Sequence, residues 1–352
     1  MILKMLNLSK LEEANVYNEA LNILIDKHPY YKVAFLDIFY DGLSNARAFV
    51  FYNESQRPVI AMPFYLRPIE KLIDNEQFFD VTSTWGYSGP LYNDDVTEST
   101  LTIFWENVDE WHQQNKVVSE FIRFNTSDNT AGYSGDLVPI MNIIKGKLSD
   151  AKSIWENYNR KVRKNIRTAE REELYTKIFY KNVSPQNMDD FYKIFVHTMD
   201  RTNATNQYYN SKEKLSQFIE AFPDNAAIVL TYKDEIPVAS EMILLSTDSI
   251  FSFLGGTLSD YFSMRPNEIL KHDVNLWGLS KGFKYFVLGG GLGKEDGIFE
   301  YKKAFFPNDT YMFTTGRKII NQNIYDKLVQ LTNQSASSDT DFFPLYRKVV
   351  PH

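Results

Sequence analysis

The segment from Arg265 to Phe306 constrains the fold more than any other part of the chain. Arg265-Pro266-Asn267-Glu268-Ile269-Leu270-Lys271-His272-Asp273, running on to Trp277, reads as a helix. Tyr285-Phe286-Val287-Leu288 then reads as a short buried strand, and Gly289-Gly290-Gly291 as a glycine-rich turn. Tyr301-Lys302-Lys303-Ala304-Phe305-Phe306 follows closely. Proline at a first helical position costs nothing, because its missing N–H would be unpaired there in any case. A helix start leaves backbone donors and a positive dipole end directed at whatever precedes it. Such an end suits an anion or a polarised carbonyl.

At 352 residues, two domains are the natural expectation. The 22 Tyr and 26 Phe favour sheets and aromatic-lined clefts over long solvent-facing helices. With no cysteine, disulfides and thiolate metal sites are excluded, in keeping with a reducing compartment. Five scattered histidines give no ligand spacing, so no metal is expected. The start, Met1-Ile2-Leu3-Lys4-Met5-Leu6-Asn7, lacks the apolar core of a signal peptide. No run approaches the roughly 20 apolar residues needed to cross a bilayer. The expectation is a cytoplasmic protein with at most peripheral membrane contact. A net charge of −7 argues against DNA as a partner.

In the first part, a helix is expected over 11–26, strands over 46–52 and 58–66, a helix over 99–115 and a strand over 117–124. From 150 to 171 the spacing predicts one long amphipathic helix. Trp155, Tyr158, Val162, Ile166 and Ala169 share one face, with Arg160, Arg163, Lys164, Arg167 and Arg171 roughly opposite. Thereafter a strand (175–180), two helices (187–200 and 211–221), a hairpin (226–232 with 237–246) and a strand (250–254) ending in Gly255-Gly256 precede the helix at 265. A polar loop is expected at 333–339. The order is that of an α/β chain of α+β type, with mixed, largely antiparallel sheets flanked by helices.

The strand order after Tyr175 resembles the GNAT acyltransferase fold, and three segments resemble its FemAB-like branch. They are Tyr158-Asn159-Arg160-Lys161-Val162-Arg163-Lys164, the helix starting Arg265-Pro266-Asn267-Glu268, and Gly289-Gly290 followed by Phe299-Glu300-Tyr301-Lys302-Lys303. The resemblance implies two GNAT-like domains, over 1–147 and 148–317, with the tail 318–352 joined to the first. It also implies transfer of an acyl or aminoacyl group to an amine, with acyl-CoA or aminoacyl-tRNA as co-substrate and no tightly bound cofactor. The long helical arm of some members is missing, so docking of a whole tRNA is weakened.

Acyl transfer to an amine needs a deprotonated amine, a closely held carbonyl and a stabilised oxyanion. Lys302 matches the lysine of the family's FK-type motif, with Tyr301 in place of Phe, and is the candidate stabiliser. The plainer account is a solvated lysine on a short helix. Gly255 and Gly256 could offer backbone amides to a donor's pantetheine-like arm, or simply turn the chain. Arg265 and Asn267 flank the helix start where donor phosphates could sit, although a proline stands where acyl-CoA-dependent members have a glycine-rich loop. The bland role for Arg265 is an ion pair with Glu268 or Asp260. Asp296 and Glu300 are the candidate bases, with helix capping or a lysine salt bridge as the duller roles. Arg163 and Arg167 are candidates for anion contact, and Trp85 and Tyr87 for lining an acceptor cleft. His272 and Asp273 are a dyad in print only, because neighbours on a helix do not face each other.

The expected function is N-acyl transfer onto an amino group of a cell-envelope precursor, either a peptidoglycan muropeptide or a nucleotide-linked amino sugar. The alternative is a catalytically silent module that reads an anionic partner through the 160–171 helix, whose basic face could meet a tRNA backbone, a nucleotide diphosphate or phospholipid headgroups.

Overall fold

The computed structural model describes residues 1–40, 42–205, 209–291, 293, 295–332 and 342–348. The polar loop expected at 333–339 lies outside them. The chain forms two compact units, one of residues 1–26, 30–140 and 313–352, the other of 27–29 and 141–312.

The first unit opens with β1 (Ile2–Asn7), α1 (Leu11–Ile23) and the single turn α2 (Val33–Leu36). β2 (Ala46–Tyr52) and β3 (Pro58–Pro68) then form the expected antiparallel hairpin. Pro58 stands at a strand start, where its missing donor does little harm. β4 (Phe79–Thr82), β5 (Leu91–Tyr92), α3 (Glu98–Gln114) and β6 (Val117–Arg123) follow. Thr97 caps α3 by accepting from the N–H of Thr100. Helix α3 lays Phe104, Trp105 and Val108 on Phe49, Phe51 and Phe64 of the hairpin, and this is the core of the unit. β7 (Asp136–Lys147) carries the chain onward.

In the second unit the single helix expected over 150–171 is two helices, α4 (Ala151–Asn157) and α5 (Arg160–Arg171). The break has a chemical cause. Asn159 leaves helical geometry and caps α5 through its side chain, which accepts from the N–H of Lys161 at 3.1 Å. The apolar stripe survives the break: Ile154, Tyr158, Val162 and Ile166 are all buried against the sheet. β8 (Tyr175–Tyr180), α6 (Pro185–Arg201) and α7 (Lys212–Ala221) lead to β9 (Ala226–Lys233) and β10 (Ile236–Leu245). Asp234 and Glu235, at φ of 48° and 64°, make the tight turn between the last two.

β11 (Ser249–Thr257), α8 (Pro266–Ser280), β12 (Tyr285–Gly289) and α9 (Gly297–Lys303) complete the second unit. Its strand order is β7-β12-β11-β10-β9-β8. Only β11 and β12 are parallel, as the helical crossover α8 requires. They pair over just three positions, Ser249–Phe251 against Tyr285–Val287. Beyond Phe251 and Val287 the ladder ends, and the two strands run on unpaired to each other.

β13 (Thr310–Ile319) returns the chain to the first unit, where it pairs with β6, and α10 (Gln322–Leu331) follows. The short tail is held by the buried Asp80, which accepts from Arg67 Nε at 2.8 Å, Arg347 Nε at 2.8 Å and the Tyr346 hydroxyl at 3.2 Å. Replacing Asp80 by alanine leaves two guanidinium groups without their shared anion. The expected cost is about 3 kcal/mol, checked as a lowered urea midpoint.

The strands β1, β4, β5, β7 and β13 are not among those expected from the sequence. In β7, Pro139, Asn142, Lys145 and Gly146 interrupt the apolar alternation that identifies a half-buried strand.

Candidate active site

The lysine at 302 is half-buried, not solvated. The short helix α9 begins at Asp296, whose Oδ1 accepts from the N–H groups of Ile298 (3.0 Å) and Phe299 (2.9 Å), while Oδ2 accepts from Gly293 at 3.0 Å. This cap sets the direction of α9, and Phe299 buries its apolar side. Lys302 then donates from Nζ to the carbonyl of Gly290 at 2.6 Å, just past the end of β12. Asp296 is thus the N-cap of α9 rather than a free base. Glu300, one turn on, is exposed.

Three residues not singled out in the sequence join Lys302 at the parting of the strands. Glu241 comes from β10, Ser252 from β11 just beyond its last residue paired with β12, and Lys271 from α8. The Lys271 ammonium contacts the Glu241 carboxylate and lies 3.0 Å from Ser252 Oγ, which also donates to Glu241. Lys271 Nζ further sits 5.3 Å from the ring centre of Phe286 on β12. Both members of this ion pair are nearly buried, at 12% and 5% side-chain exposure, and the second carboxylate oxygen of Glu241 has no hydrogen-bond partner. Burial, then the neighbouring Lys271 charge, pushes the Lys302 ammonium down to about 8. A cation poised to give up its proton near neutrality is suited to a site where charge develops.

One signal for this cluster was present in the sequence. Glu241 is a lone carboxylate within Ile236-Pro-Val-Ala-Ser-Glu-Met-Ile-Leu-Leu245, an otherwise apolar strand. An acid there must meet a cation or remain protonated.

A cleft of about 520 Å³ lies in the same unit, between the starts of α5 and α8 and the side of α9. Its rim carries Arg265, Lys161, Glu300 and Asn267; its wall is formed by Glu268, Asn165, Thr257 and Tyr301. Arg265 caps α8 in a left-handed conformation (φ 65°) and is exposed. It makes no ion pair with Glu268 or Asp260 among the described residues. Glu268 turns inward instead, accepting from Asn165 Nδ2 at 2.7 Å.

Gly255 and Gly256 do not end the strand, which runs on to Thr257. A side chain at 256 would meet Thr198 Oγ1 at 2.4 Å and the Ile194 carbonyl at 2.6 Å; one at 255 would meet the Ser240 carbonyl at 2.7 Å. Close packing of α6 and β10 therefore accounts for both glycines. Arg163 is also committed: its Nη1 donates to the carbonyls of Glu156 (2.9 Å) and Tyr158 (2.5 Å), capping the end of α4. Arg167 stays exposed, its guanidinium 5.5 Å from the Trp155 ring centre. His272 packs on Trp155 and meets the Tyr158 hydroxyl at 3.2 Å, while burial holds its imidazole below the usual range. It makes no hydrogen bond to Asp273.

Trp85 and Tyr87 belong to the first unit, whereas the Lys302 cluster belongs to the second. Trp85 is exposed and stacks on Phe39; Tyr87 packs edge-on against Tyr30 and Phe313. Among the described residues no group of three or more acidic or histidine side chains could hold a metal ion, and no helix is long and apolar enough to cross a membrane.

A sheet opened between two parallel strands, flanked by the helices α8 and α9, is the arrangement of the GNAT fold, and comparison with known proteins agrees. Residues 157–303 match the GNAT acetyltransferase domain family. No curated protein sequence matches the chain. In three dimensions it is similar to FemX, at a TM-score of 0.64 and 10% identity over 89% of this chain and 98% of that one. It is also similar to the C-terminal domain of a putative lysylphosphatidylglycerol synthetase from Agrobacterium fabrum (TM-score 0.58, 10% identity, 90% and 97% covered). A third likeness is to L-PGS from Bacillus licheniformis (TM-score 0.55, 12% identity, 92% and 96% covered). The match to that domain family covers residues 157–303, and the chain as a whole has a GNAT-like fold similar to that of FemX.

Proposed function

We propose that the protein moves an acyl or aminoacyl group onto the amino group of a cell-envelope precursor, a muropeptide or a nucleotide-linked amino sugar. The observation that supports this reading is the half-buried Lys302 ammonium at the opening between β11 and β12, beside the Lys271–Glu241 pair. When an amine attacks a carbonyl, negative charge builds on the carbonyl oxygen. An ammonium held in a site of low dielectric stabilises that charge far better than one in water. Lys302 supplies the cation. Lys271, bound to Glu241 and Ser252, adds a second positive charge that keeps Lys302 acidic. The incoming amine must shed a proton, and Glu300, exposed at the cleft rim, is the base this reading retains.

The donor is acyl-CoA or aminoacyl-tRNA. The start of α8 is a poor cradle for the pyrophosphate of CoA. Pro266 has no N–H to offer, and Glu268 brings a carboxylate into the first turn. Aminoacyl-tRNA is thereby favoured, and exposed Arg160, Lys164, Arg167 and Arg171 on α5 offer its phosphates contacts. Thermal unfolding with each donor separates the two. A donor at about 100 times its Kd adds roughly 2.7 kcal/mol, so the true donor raises Tm and the other leaves it unchanged. If neither donor raises Tm, and neither acylates a muropeptide or a nucleotide-linked amino sugar in a mass-resolved assay, the reading is wrong.

A further inference from the structure

The wall of the cleft at the start of α8 holds more polar capacity than the protein itself uses. Glu268 is 8% exposed and makes no ion pair among the described residues; its one side-chain partner is Asn165, itself 9% exposed. Thr257 is 3% exposed, and its hydroxyl has no hydrogen-bond partner. The Tyr301 hydroxyl is also buried without one. Buried polar groups are ordinarily satisfied, so two orphaned hydroxyls beside a carboxylate without a cation mark a place where something else binds. The positive groups near this cleft, Arg265 and Lys161, are exposed at its rim and do not reach the acid.

We propose that this cleft binds a primary ammonium group, with the Glu268 carboxylate as counter-charge and the hydroxyls of Thr257 and Tyr301 as hydrogen-bond acceptors. An ammonium carries three N–H donors, and the wall offers three acceptors without any ion-pair partner of their own. Burial raises the Glu268 carboxyl above its usual range, ahead of the lowering by Asn165 and the more distant Arg265 and Lys161 charges. A bound cation would relieve that penalty. The same carboxylate opposes a polyanion, although the helix start alone would attract one. Tyr301 lines the cleft and directly precedes Lys302 on α9, which puts the cleft beside the Lys302 cluster; burial of Tyr301, and then the Glu268 and Glu241 charges, keeps its phenol protonated. A ligand anchored at Glu268 would therefore lie beside the reacting centre. This inference rests on the acyl-transfer reading only for what the ammonium is attached to: an aminoacyl donor or an amino-sugar acceptor.

Calorimetric or NMR titration of the full chain tests it without turnover. The probes are alanine methyl ester and glucosamine, each against its N-acetylated counterpart, with inorganic pyrophosphate as competitor. We expect at least one free amine to bind about tenfold more tightly than its acetylated form. An ester preference assigns the donor, a sugar preference the acceptor. Glu268→Gln keeps an acceptor for Asn165 and should abolish the preference, and Thr257→Val, with the fold checked by circular dichroism, should weaken it. Equal binding of free and acetylated probes, no binding of any amine, pyrophosphate alone occupying the cleft, or a preference that persists in Glu268→Gln would each overturn the proposal. Loss of the acyl-transfer reading would appear separately, as full turnover in a Lys302 variant.

Discussion

Lys302→Met lowers turnover by about two to three orders of magnitude while leaving the fold intact. The expectation follows from the position of the ammonium. It is half-buried, bonded to the Gly290 carbonyl and next to a second cation, so its charge is available at little reorganisation cost. A structural lysine would give a different result, because methionine fills nearly the same volume and the loss would then appear in Tm rather than in rate. The pH profile separates the two further. Burial and Lys271 bring the Lys302 proton down to about 8, so a rate that needs the ammonium rises as the acceptor amine deprotonates and falls above about pH 8. In Lys302→Met the alkaline limb disappears, and the residual rate climbs monotonically. A variant within threefold of the parent, or one that keeps its alkaline limb, removes Lys302 from the chemistry.

Glu120→Gln stabilises the protein by roughly 3 kcal/mol at pH 8 and by almost nothing at pH 4.5. Glu120 on β6 and His112 on α3 are both fully buried, 3.6 Å apart. Their approach is not an ion pair. Burial, and secondarily the Lys318 charge, holds the imidazole neutral down to about 3; burial pushes the Glu120 carboxyl up to about 7, against a smaller opposing pull from Lys318 on the facing strand position. Between 4.5 and 7 the folded chain keeps a proton on Glu120 that the unfolded chain has released, so stability from this group is lost as pH rises through that window. His112 works in reverse: its contribution is complete above 6.5 and is lost as pH falls toward 3. The two slopes offset between about 4.5 and 6.5, where the parent protein should show a plateau. Urea unfolding of parent and variant at the two pH values gives the difference directly. An equal difference at both would mean that Glu120 is not protonated in the fold.

Much of the second unit could be read from periodicity and punctuation. The α8 start at Pro266, the buried strand before Gly289 and the tight turn at Asp234-Glu235 are local signals, and local signals survive into the fold because short-range sterics and capping produce them. The failures share a different character. The break at Tyr158-Asn159 was invisible because the apolar stripe continues across it; what ends α4 there is the Asn159 cap together with Arg163 folded back on the α4 carbonyls. Arg163 therefore looked like part of a cationic face when it is half-buried. Gly255 and Gly256 looked like a strand end, although Gly256 is required by the close approach of α6, some 60 residues earlier in the chain, and Gly255 by the neighbouring strand β10. The strands β1, β7 and β13 were missed because their pattern is mixed and their partners are distant.

What the amino-acid order determined alone is the fold class of the chain and the position of one candidate group: the helix–strand–glycine–lysine run that ends in Lys302. What only tertiary structure decided is the company that group keeps. Glu241, Ser252 and Lys271 lie on three elements, and Glu268, Thr257 and Tyr301 on three as well. Their acidity, pairing and exposure depend on distances set by packing of the whole sheet. A side chain's type is written in sequence, but its charge state is a property of its surroundings.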